Sequence, residues 1–307
     1  MKHLISLLAF SFLIGCDGEK SNKSPFEGLL GKADSETKPT EAVSVENPNL
    51  KYVIEGDAIT ITSCDENASG ELVIPTKIEG KSVTNIGNEA FGGCTSLTSI
   101  TIPDSVTSIG DRAFGFCDSL TSITIGDGVN SVGDQAFAFS ESLTSIKIPN
   151  SVTSIGSMSF WSCTSLTSIT IGDGVTSIGA DAFRNCSNLT SITIGNGVTS
   201  IESTTFSGCV SLTSITIPDG VTSIGDGAFL SCTNLTSITI PDSVTSIGNG
   251  AFYNCTSLTA VTFLGDAPKN SNDAFNESSP TIYREADAKG WGDTFAGRPV
   301  KLIAEKP

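Results

Sequence analysis

A unit of 23 residues recurs through most of this chain of 307 residues, and the recurrence limits the possible folds more than any other feature. The recurring leucines are Leu97, Leu120, Leu143, Leu166, Leu189, Leu212, Leu235 and Leu258, and phenylalanines recur at the same spacing from Phe91 to Phe275. A fixed period of about 20 to 50 residues is typical of a solenoid, whose coils bury their apolar faces only against neighbouring coils. The sequence therefore predicts one elongated domain of stacked coils.

Each unit has the form Leu-Thr-Ser-Ile-Thr-Ile-Pro-Asp-Ser-Val-Thr-Ser-Ile-Gly-x-x-Ala-Phe-x-x-Cys-x-x, and copies run without gaps from Leu97 to Ser257. Ile100 and Ile102 alternate with polar residues, which predicts a short strand with isoleucines inward and hydroxyls outward. The expected fold class is an α/β-type repeat, a solenoid of about nine coils with one parallel β-sheet face, mostly β and irregular with few helices.

The two ends of the repeat array depart from this pattern. Residues 52–54 and 59–62 alternate around a Glu-Gly-Asp turn and predict a hairpin, and residues 71–75 enter the repeat register. Repeat stacks need atypical terminal coils that shield the core. We therefore assign residues 50–96 to an N-terminal cap with a degenerate repeat, 97–265 to the solenoid and 266–307 to a C-terminal cap.

The first residues have the features of a targeting segment. Lys2 precedes an apolar run, residues 4–14, that is too short to span a bilayer. Residues 13–16, Leu-Ile-Gly-Cys, resemble the lipobox of bacterial lipoproteins, which implies that Cys16 is lipidated; an ordinary secretory signal is the alternative. We assign residues 1–16 to a lipoprotein signal peptide and residues 17–49, which are poor in apolar side chains, to a disordered tether.

These assignments predict a protein of the bacterial cell envelope, lipid-anchored at the outer membrane or the cell surface. Asp17 resembles an inner-membrane retention signal of some bacteria, so the membrane and its face stay open. The chain has 17 basic and 33 acidic residues, a net charge of −16, which argues against the clustered basic residues of a phosphate-binding surface. Nucleic acid is therefore not an expected partner, and the membrane is expected to be contacted by the lipid anchor only.

Residues suited to catalysis are scarce. The only histidine, His3, lies in the targeting segment, so the mature chain has no Ser–His or Cys–His couple and no histidine ligand for a metal. The sequence also lacks the Gly-x-Ser-x-Gly motif of serine hydrolases and a phosphate-binding glycine-rich loop. We predict no enzymatic activity, no cofactor and no metal site.

One cysteine position recurs in nearly every unit: Cys94, Cys117, Cys163, Cys186, Cys209, Cys232 and Cys255, with Ser140 interrupting the row. No two of them have the spacing of about two to four residues that zinc ligands use, so the row predicts buried free thiols. Disulfides between adjacent coils are an alternative that parallel side chains would strain, and Cys64 lies outside the row.

A row of acidic and amide residues follows the strand ends: Asp104, Asp127, Asn150, Asp173, Asn196, Asp219 and Asp242. Calcium held between coils is one interpretation of stacked carboxylates. Each turn offers only one such side chain, however, so Asx-type capping of the turns is the favoured interpretation.

The pattern Leu-x-x-Ile-x-Ile-Pro, followed by Val-x-x-Ile-Gly-x-x-Ala-Phe-x-x-Cys, resembles the leucine-rich repeat of BspA-like bacterial surface proteins over about residues 50 to 300. The resemblance implies a leucine-rich-repeat solenoid and a non-enzymatic role in cell-surface adhesion or recognition, with extracellular macromolecules as ligands. It implies no particular binding residues, because the matching positions all belong to the core.

Two surfaces are candidate sites for an extracellular protein or glycan, and the chain is expected to act as a monomer. The first is a ridge just after each Ala-Phe pair, where the units differ most: Phe116, Phe139, Trp161, Arg184, Leu230 and Tyr253. Trp, Tyr and Arg are enriched at binding hot spots, and we expect the ridge to be centred on Trp161 and Arg184. Neutral drift at an exposed position is the alternative.

The second surface is the outward face of the sheet, represented by Ser122, Thr124, Ser168, Thr170, Ser191 and Thr193. A regular hydroxyl array of this kind suits a repetitive polymer or solid, either a glycan or ice. Ser and Thr are also ordinary strand residues that duplication would copy, which is the alternative interpretation.

Overall fold

The structure, a computed structural model, describes residues 43–44, 48–270 and 273–306, which belong to one compact unit, Thr40–Pro307. The predicted signal peptide with Cys16 and the predicted tether up to residue 42 lie outside the described residues. The described chain is a mostly β, parallel solenoid of about 10 turns, so the predicted fold class is confirmed. Within these ranges no helix has the length and apolar content needed to cross a membrane.

The strands are short and follow one another around the coils. In chain order they are β1 Val43–Ser44, β2 Leu50–Glu55, β3 Ala58–Cys64, β4 Gly70–Val73, β5 Lys77–Ile78, β6 Lys81–Ile86, β7 Leu97–Thr101, β8 Ser108–Ile109, β9 Ser122–Thr124, β10 Ser131–Val132, β11 Ser145–Ile148 and β12 Ser154–Ile155. They continue as β13 Ser168–Ile171, β14 Ser177–Ile178, β15 Ser191–Thr193, β16 Ser200–Ile201, β17 Ser223–Ile224, β18 Ser237–Ile240, β19 Ser246–Ile247, β20 Ala260–Phe263, β21 Lys269–Asn270, β22 Thr281–Arg284, β23 Thr294–Phe295 and β24 Arg298–Leu302. A 3-10 helix, Ile303–Glu305, is the one helical segment of the described ranges.

One row of parallel strands forms the sheet predicted from the sequence. Its members are β4, β7, β9, β11, β13 and β15 and then, past an isolated bridge from Thr216 to Thr239, β18, β20, β22 and β24. Ser145 pairs with Ser168, so the pairing follows the repeat offset. Because side chains alternate along a strand, Ile169 is buried and its neighbours are exposed.

A second row of two-residue strands runs along another side of the coils. It consists of β8, β10, β12 and β14, followed by β16, β17, β19 and β21, and the two parts are not paired with each other. The serines of this row pair in register, as Ser131 does with Ser154. This row was not predicted from the sequence, since a Ser-Ile pair is too short to show a strand period.

A stack of phenylalanine rings fills the centre of the coils. The rings from Phe91 to Phe275 lie 5.0–5.5 Å apart from centroid to centroid and are nearly parallel. Every one of them is fully buried. One aromatic ring per coil therefore builds a continuous core along the stack.

The turns around each phenylalanine form a third contact between coils. Alternate residues donate their backbone N–H to the next coil, as Arg112 does to Asp134, Phe114 to Ala136 and Phe116 to Ala138, at 2.7–2.9 Å. The residues between them bond locally, as Gly115 N–H does to Arg112 C=O at 3.0 Å. Residues at the Arg112 and Phe116 positions adopt left-handed backbone conformations, with φ of 53° and 59°. The predicted ridge is built on these turns.

Both ends of the stack are covered. The N-terminal hairpin, β2 with β3, is antiparallel as predicted, and Leu72 of β4 enters the main sheet opposite Ile100. At the other end Trp291 and Phe295 pack against Phe263. Arg298 donates from Nη2 to the carbonyl of Phe275 at 2.8 Å, so the last ring's backbone is hydrogen-bonded without a further coil.

Candidate functional site

Three aromatic side chains of the predicted ridge form one continuous apolar surface, which we call the aromatic strip: Phe116, Phe139 and Trp161. The rings of Phe116 and Phe139 are stacked at 4.8 Å, and those of Phe139 and Trp161 lie 4.7 Å apart with planes inclined by 55°. Phe116 is 37% exposed, and the other two rings are half-buried. The strip therefore presents aromatic carbon on three consecutive coils whose other outward side chains are mostly polar.

The packing of these rings limits what the aromatic strip can bind. The ring of Phe116 is stacked on that of Phe139, and the Trp161 ring lies 4.7 Å from it at an inclination of 55°, so both neighbours cover part of the half-buried Phe139 ring. A sugar ring packs its C–H groups on an open aromatic face, where the π electrons lie. The centre of the strip is therefore poorly arranged for a glycan and suits apolar contacts with a protein.

Trp161 reinforces the apolar character of the aromatic strip. Its indole Nε1 is buried and has no hydrogen-bond partner among the described residues. The polar edge of the indole is therefore turned away from solvent, and the exposed part of the side chain is carbon. A ligand would gain buried apolar area at Trp161 without a hydrogen bond to the indole.

Polar side chains cross the same turns beside the aromatic strip. The guanidinium of Arg112 pairs with Glu89 at 3.3 Å and donates from Nε to Oε1 of Gln135 at 2.9 Å. Gln135 in turn contacts the sulfur of Met158 at 3.7 Å. Since Arg112 is balanced by Glu89, these turns combine an apolar strip with a border of small net charge, as binding surfaces with an apolar centre and a polar rim do.

The other residues of the predicted ridge do not join the strip. Arg184 is exposed and pairs with Asp181 of its own turn at 3.1 Å, while Trp161 packs against Phe139. Leu230 is half-buried and Tyr253 is 40% exposed, and both lie beyond the small side chains of Ser207 and Gly208. The expected centre at Trp161 and Arg184 stays a prediction, while the contacts between aromatic rings lie from Phe116 to Trp161.

The outward face of the main sheet carries exposed hydroxyls where the sequence predicts them. Ser122, Thr124, Ser168, Thr170, Ser191 and Thr193 are all exposed. Lys147 pairs directly with Thr170, so a charged side chain interrupts the threonine row in the middle of the sheet. In a neighbouring row Thr121, Thr144 and Thr167 donate their hydroxyls to carbonyls of the preceding coil at 3.0–3.1 Å. The hydroxyl lattice is therefore shorter and less uniform than the repeat pattern suggests.

The cysteine row is buried, as predicted. The thiols of Cys117, Cys163, Cys186, Cys209, Cys232 and Cys255 each donate to a phenylalanine carbonyl of the preceding coil at 3.1–3.2 Å. Ser140 and Ser278 make the same bond at 2.7 and 2.6 Å, which explains why serine replaces cysteine there. Burial raises the pKa of Cys163 to about 12. A protonated, buried thiol is a poor nucleophile, so this row stabilises the stack and has no catalytic arrangement.

The Asp and Asn row also connects coils. Oδ1 of Asp104 accepts the backbone N–H of Asp127 at 2.9 Å, and Oδ1 of Asp173 accepts that of Asn196 at 2.9 Å. The predicted capping role is thus found, with the partner in the next coil and not in the same turn. A second row, which the sequence analysis missed, acts alike: Asp111 accepts from Asp134 N–H at 2.9 Å. In the described part of the chain no cluster of acidic, histidine or cysteine side chains could hold a metal ion.

A shallow cleft with a volume of about 700 Å³ follows the second strand row. Ser131, Ser154 and Ser177 line it together with the carboxylates of Asp134 and Glu202. A hydroxyl nucleophile needs an adjacent base that is itself oriented by a third group. Among the described residues these side chains have no histidine near them, and Glu202 accepts from Ser200 at 2.6 Å, as a structural contact would.

Comparisons with known proteins agree with this architecture. The family model of the BspA type leucine rich repeat region matches residues 73–187 and 153–282, in 6 copies. A leucine rich repeat protein of T. pallidum, TpLRR, is 30% identical with a TM-score of 0.56, covering 70% of this chain and 91% of that chain. A leucine-rich repeat protein from Bacteroides ovatus is 27% identical with a TM-score of 0.62, covering 83% of this chain and 75% of that chain. No curated protein matches the sequence.

Proposed function

Because the chain belongs to the family of BspA-type leucine-rich repeat proteins, we propose that it is a non-enzymatic surface protein that binds an extracellular protein through the aromatic strip. The family resemblance seen in the sequence is confirmed. Proteins of this family are bacterial surface proteins, and protein binding or surface recognition is their general role. Which surface of this chain contacts the partner must be inferred from its own residues.

The observation that carries the proposal is the contact between Phe116, Phe139 and Trp161 on three successive coils. Elsewhere in the same two repeat positions the residues are small, polar or isolated, as with Ser207, Gly208 and Asn254. Aromatic side chains that cluster on a polar surface are the usual centre of a protein interface. The border of Arg112, Glu89 and Gln135 would supply the polar rim.

The size of the strip sets an expectation for affinity. The three rings span roughly 10 Å along the stack, since coils in such a stack lie about 5 Å apart. A stable interface buries roughly 1,200 to 2,000 Å² in total, so a partner must also contact the turns around the strip. Tyr253, exposed on a distant coil, offers a second contact for a long partner, which would strengthen binding by linkage.

A glycan or an ice surface on the sheet face is the second candidate, and its support is the exposed hydroxyl row that includes Ser191 and Thr193. The presence of Lys147 within that row weakens it, because a charged side chain about 5 Å from each neighbour disrupts a flat lattice contact. We therefore favour the strip.

Anchoring completes the proposal. A lipid on Cys16 would place the tether and the solenoid outside the cytoplasm, with the strip free to meet a partner in solution or on another cell. A protein carrying several acyl chains stays on a membrane far more stably than one with a single chain. The comparison of cells that express the wild type with cells that express Cys16→Ala tests this step: a variant that stays fully membrane-associated would refute the anchor.

Substitutions that the repeats themselves provide give a clean test of the strip. Asn occupies the Phe116 and Phe139 position in two other coils, as Asn185 and Asn254, and it tolerates the left-handed backbone found there. Ser207 occupies the Trp161 position. The triple variant F116N/F139N/W161S therefore removes the aromatic carbon and should keep the fold.

The assay measures binding of the full chain to a panel of immobilised extracellular matrix proteins and to a glycan array. Removal of a hot-spot aromatic costs about 2 kcal/mol or more, so the triple variant should bind a protein partner at least a hundredfold more weakly. Binding by the wild type should persist at high salt, because apolar contacts are not screened. The matched control, T124K/T170K/T193K, copies Lys147 and should leave protein binding unchanged. If only the control variant loses binding, the sheet face is the binding site. If neither variant loses binding, the aromatic strip is not the binding site.

A further inference from the structure

Two cysteines at the N-terminal end of the stack are arranged differently from the thiol row. Cys64 is the last residue of β3, and Cys94 is the first cysteine of the repeats. Both are buried, at 5% and 1% exposure, and both belong to the same apolar core. Cys64 was predicted to lie outside the row, and in the structure it lies beside the first member of the row, Cys94.

Backbone and side-chain contacts hold these two residues together. The N–H of Cys64 donates to the carbonyl of Ala90 at 2.6 Å, which fixes the end of β3 on the turn that leads to Cys94. The sulfur of Cys94 lies 3.8 Å from the carbonyl oxygen of Asp65, the residue that follows Cys64. The two cysteines are therefore neighbours across the junction between the hairpin cap and the first coil.

This arrangement differs from the junctions within the row. Cys117 donates its thiol to the carbonyl of Phe91 at 3.1 Å, the same short bond that the later thiols of the row make. The sulfur of Cys94 makes a longer contact of 3.8 Å with a carbonyl, that of Asp65, and its other neighbour is the thiol of Cys64. Cys64 stands beside Ala90 and not in register with Cys94, so the parallel side-chain vectors that would strain a disulfide between equivalent positions do not apply here.

The two thiols also affect each other's ionisation. Cys64 lowers the pKa of Cys94, and the neighbouring Cys94 thiol, followed by burial, raises that of Cys64. A thiol pair in which one sulfur ionises more easily is the arrangement that favours attack on a disulfide reagent. The thiols of the row lack this asymmetry, since burial raises the pKa values of Cys117, Cys163 and Cys209 alike to about 12.

We propose that Cys64 and Cys94 form a disulfide in the mature protein, which joins the hairpin cap covalently to the first coil while the other thiols of the row, from Cys117 to Cys255, stay reduced. The inference goes beyond the proposed function and requires only that the solenoid folds in an oxidising compartment outside the cytoplasm. The oxidant is a low-molecular-weight or protein disulfide.

The reaction is a pair of thiol–disulfide exchanges. The thiolate of Cys94 attacks one sulfur of the oxidant, forms a mixed disulfide and releases one reduced thiol. The thiolate of Cys64 then attacks the sulfur of Cys94 and releases the second reduced thiol. The protein loses two protons and two electrons and gains one sulfur–sulfur bond, and the oxidant's disulfide is reduced to two thiols.

The expected consequence is a more stable N-terminal end. The bond closes a loop between positions 64 and 94, which contains the hairpin β5–β6 and the first repeat turn. Closing a loop restricts the unfolded chain, so the cap separates from the first coil less often. Terminal coils protect the core of a repeat stack, so this junction is the one where such a link has most effect.

Peptide mapping of the full-length protein tests the proposal. The reduced, unfolded chain is refolded in oxidised and reduced glutathione, free thiols are alkylated in denaturant, and the product is digested with trypsin. Cleavage after Lys51, Lys77, Lys81 and Arg112 places the two cysteines in separate peptides, residues 52–77 and 82–112. We expect these two peptides to be linked in most molecules and to separate on reduction.

Two variants sharpen the result. Cys64→Ser should abolish the linked peptide, and Cys117→Ser should retain it, since serine serves in the row at Ser140. Reduction should lower the thermal midpoint of the wild type and leave that of Cys64→Ser unchanged. Recovery of both cysteines as singly alkylated residues after refolding with oxidised glutathione would overturn the proposal. So would a link from peptide 82–112 to peptide 113–147, which carries Cys117.

Discussion

A glycine follows most second-row strands and permits the close spacing of the coils, and Gly156→Ala tests this role. A methyl carbon added at Gly156 would lie 2.5 Å from Oδ1 of Asp134 and 2.6 Å from the backbone carbon of Gly133. Ordinary van der Waals contact begins at about 3.4 Å, so the two coils must separate locally. The N–H of Gly156 bonds to Val132 C=O at 2.8 Å, and that of Ser157 to Asp134 at 2.7 Å, and both bonds lie at this contact.

The magnitude follows from these contacts. Overpacking in a close-packed structure costs about 1–3 kcal/mol, and each weakened hydrogen bond costs about 1 kcal/mol. We expect Gly156→Ala to lower the free energy of unfolding by about 3–5 kcal/mol. For a domain of this size that corresponds to a fall in the thermal midpoint of roughly 10 °C.

One coil of the wild-type protein already has a side chain at the position equivalent to Gly156. Position 202 is equivalent to Gly179 and Gly225, and its residue is glutamate. The second strand row stops between β14 and β16, immediately before this residue. The side chain of Glu202 thus occurs where strand pairing is lost, which is the effect expected of a side chain at Gly156.

The assay is thermal unfolding monitored by circular dichroism, with hydrogen exchange at the amides of Gly156 and Ser157. Gly115→Ala is the matched control, since the nearest atom to its added methyl would be 3.5 Å away and Ala138 occupies the same position in the next coil. We expect the control to change stability by less than about 0.5 kcal/mol. Equal midpoints for the two variants would refute the reasoning.

Two further predictions concern the carbonyls of the phenylalanine row. Burial raises the pKa values of Cys117, Cys163, Cys209 and Cys255 to about 12 from an ordinary value of 9.0, so the folded state holds these protons longer than the unfolded state. The free energy of unfolding, measured by denaturant titration, should therefore fall as the pH rises from 9 towards 12. Replacing these four cysteines by serine should shift the fall to higher pH. An unchanged pH profile in that variant would contradict this explanation. Arg298→Met should cost about 1–2 kcal/mol, because the Phe275 carbonyl loses its charged donor. Hydrogen exchange should increase in β22 and β24 and not in β7; a uniform increase would argue against a local role.

Much of the fold was predictable because every signal recurs in each unit. The alternation around Ile100, the ring position of Phe114 and the buried thiol of Cys117 each appear many times, so chance matches average out. The hairpin cap was predictable for a different reason, since its two alternating segments flank a Gly-Asp turn.

Features that depend on a single coil escaped prediction. The loss of strand pairing before Glu202 depends on its Cβ, because a Cβ at the equivalent glycines would lie 2.4–2.7 Å from atoms of the preceding coil. In the sequence this difference is a single changed residue. The meeting of Cys64 with Cys94 depends on how the cap lies on the first coil, which no repeat unit encodes. A pattern repeated many times describes the average coil and says little about the exceptions.

The sequence predicted which residues belong to the candidate site, but it did not predict how their side chains are arranged. The variability after Ala-Phe identified Phe116, Phe139 and Trp161 from the sequence. Their mutual stacking and the ion pair of Arg184 with Asp181 were not predictable, because they depend on side-chain directions in a left-handed turn. Those directions bring the rings of Phe116, Phe139 and Trp161 into contact and pair Arg184 with Asp181 of its own turn.

The identical spacing of the inter-coil bonds has a genetic consequence. The bonds of Phe114 with Ala136 and of Thr121 with Thr98 recur at equivalent positions of neighbouring coils, so adjacent units offer nearly the same surface to each other. Unequal crossing-over between two such DNA repeats would add or remove whole coils without creating a new kind of junction. The gene can therefore lengthen or shorten the stack, and move the strip nearer to or farther from the hairpin of β2 and β3, in single recombination events that leave the protein able to fold.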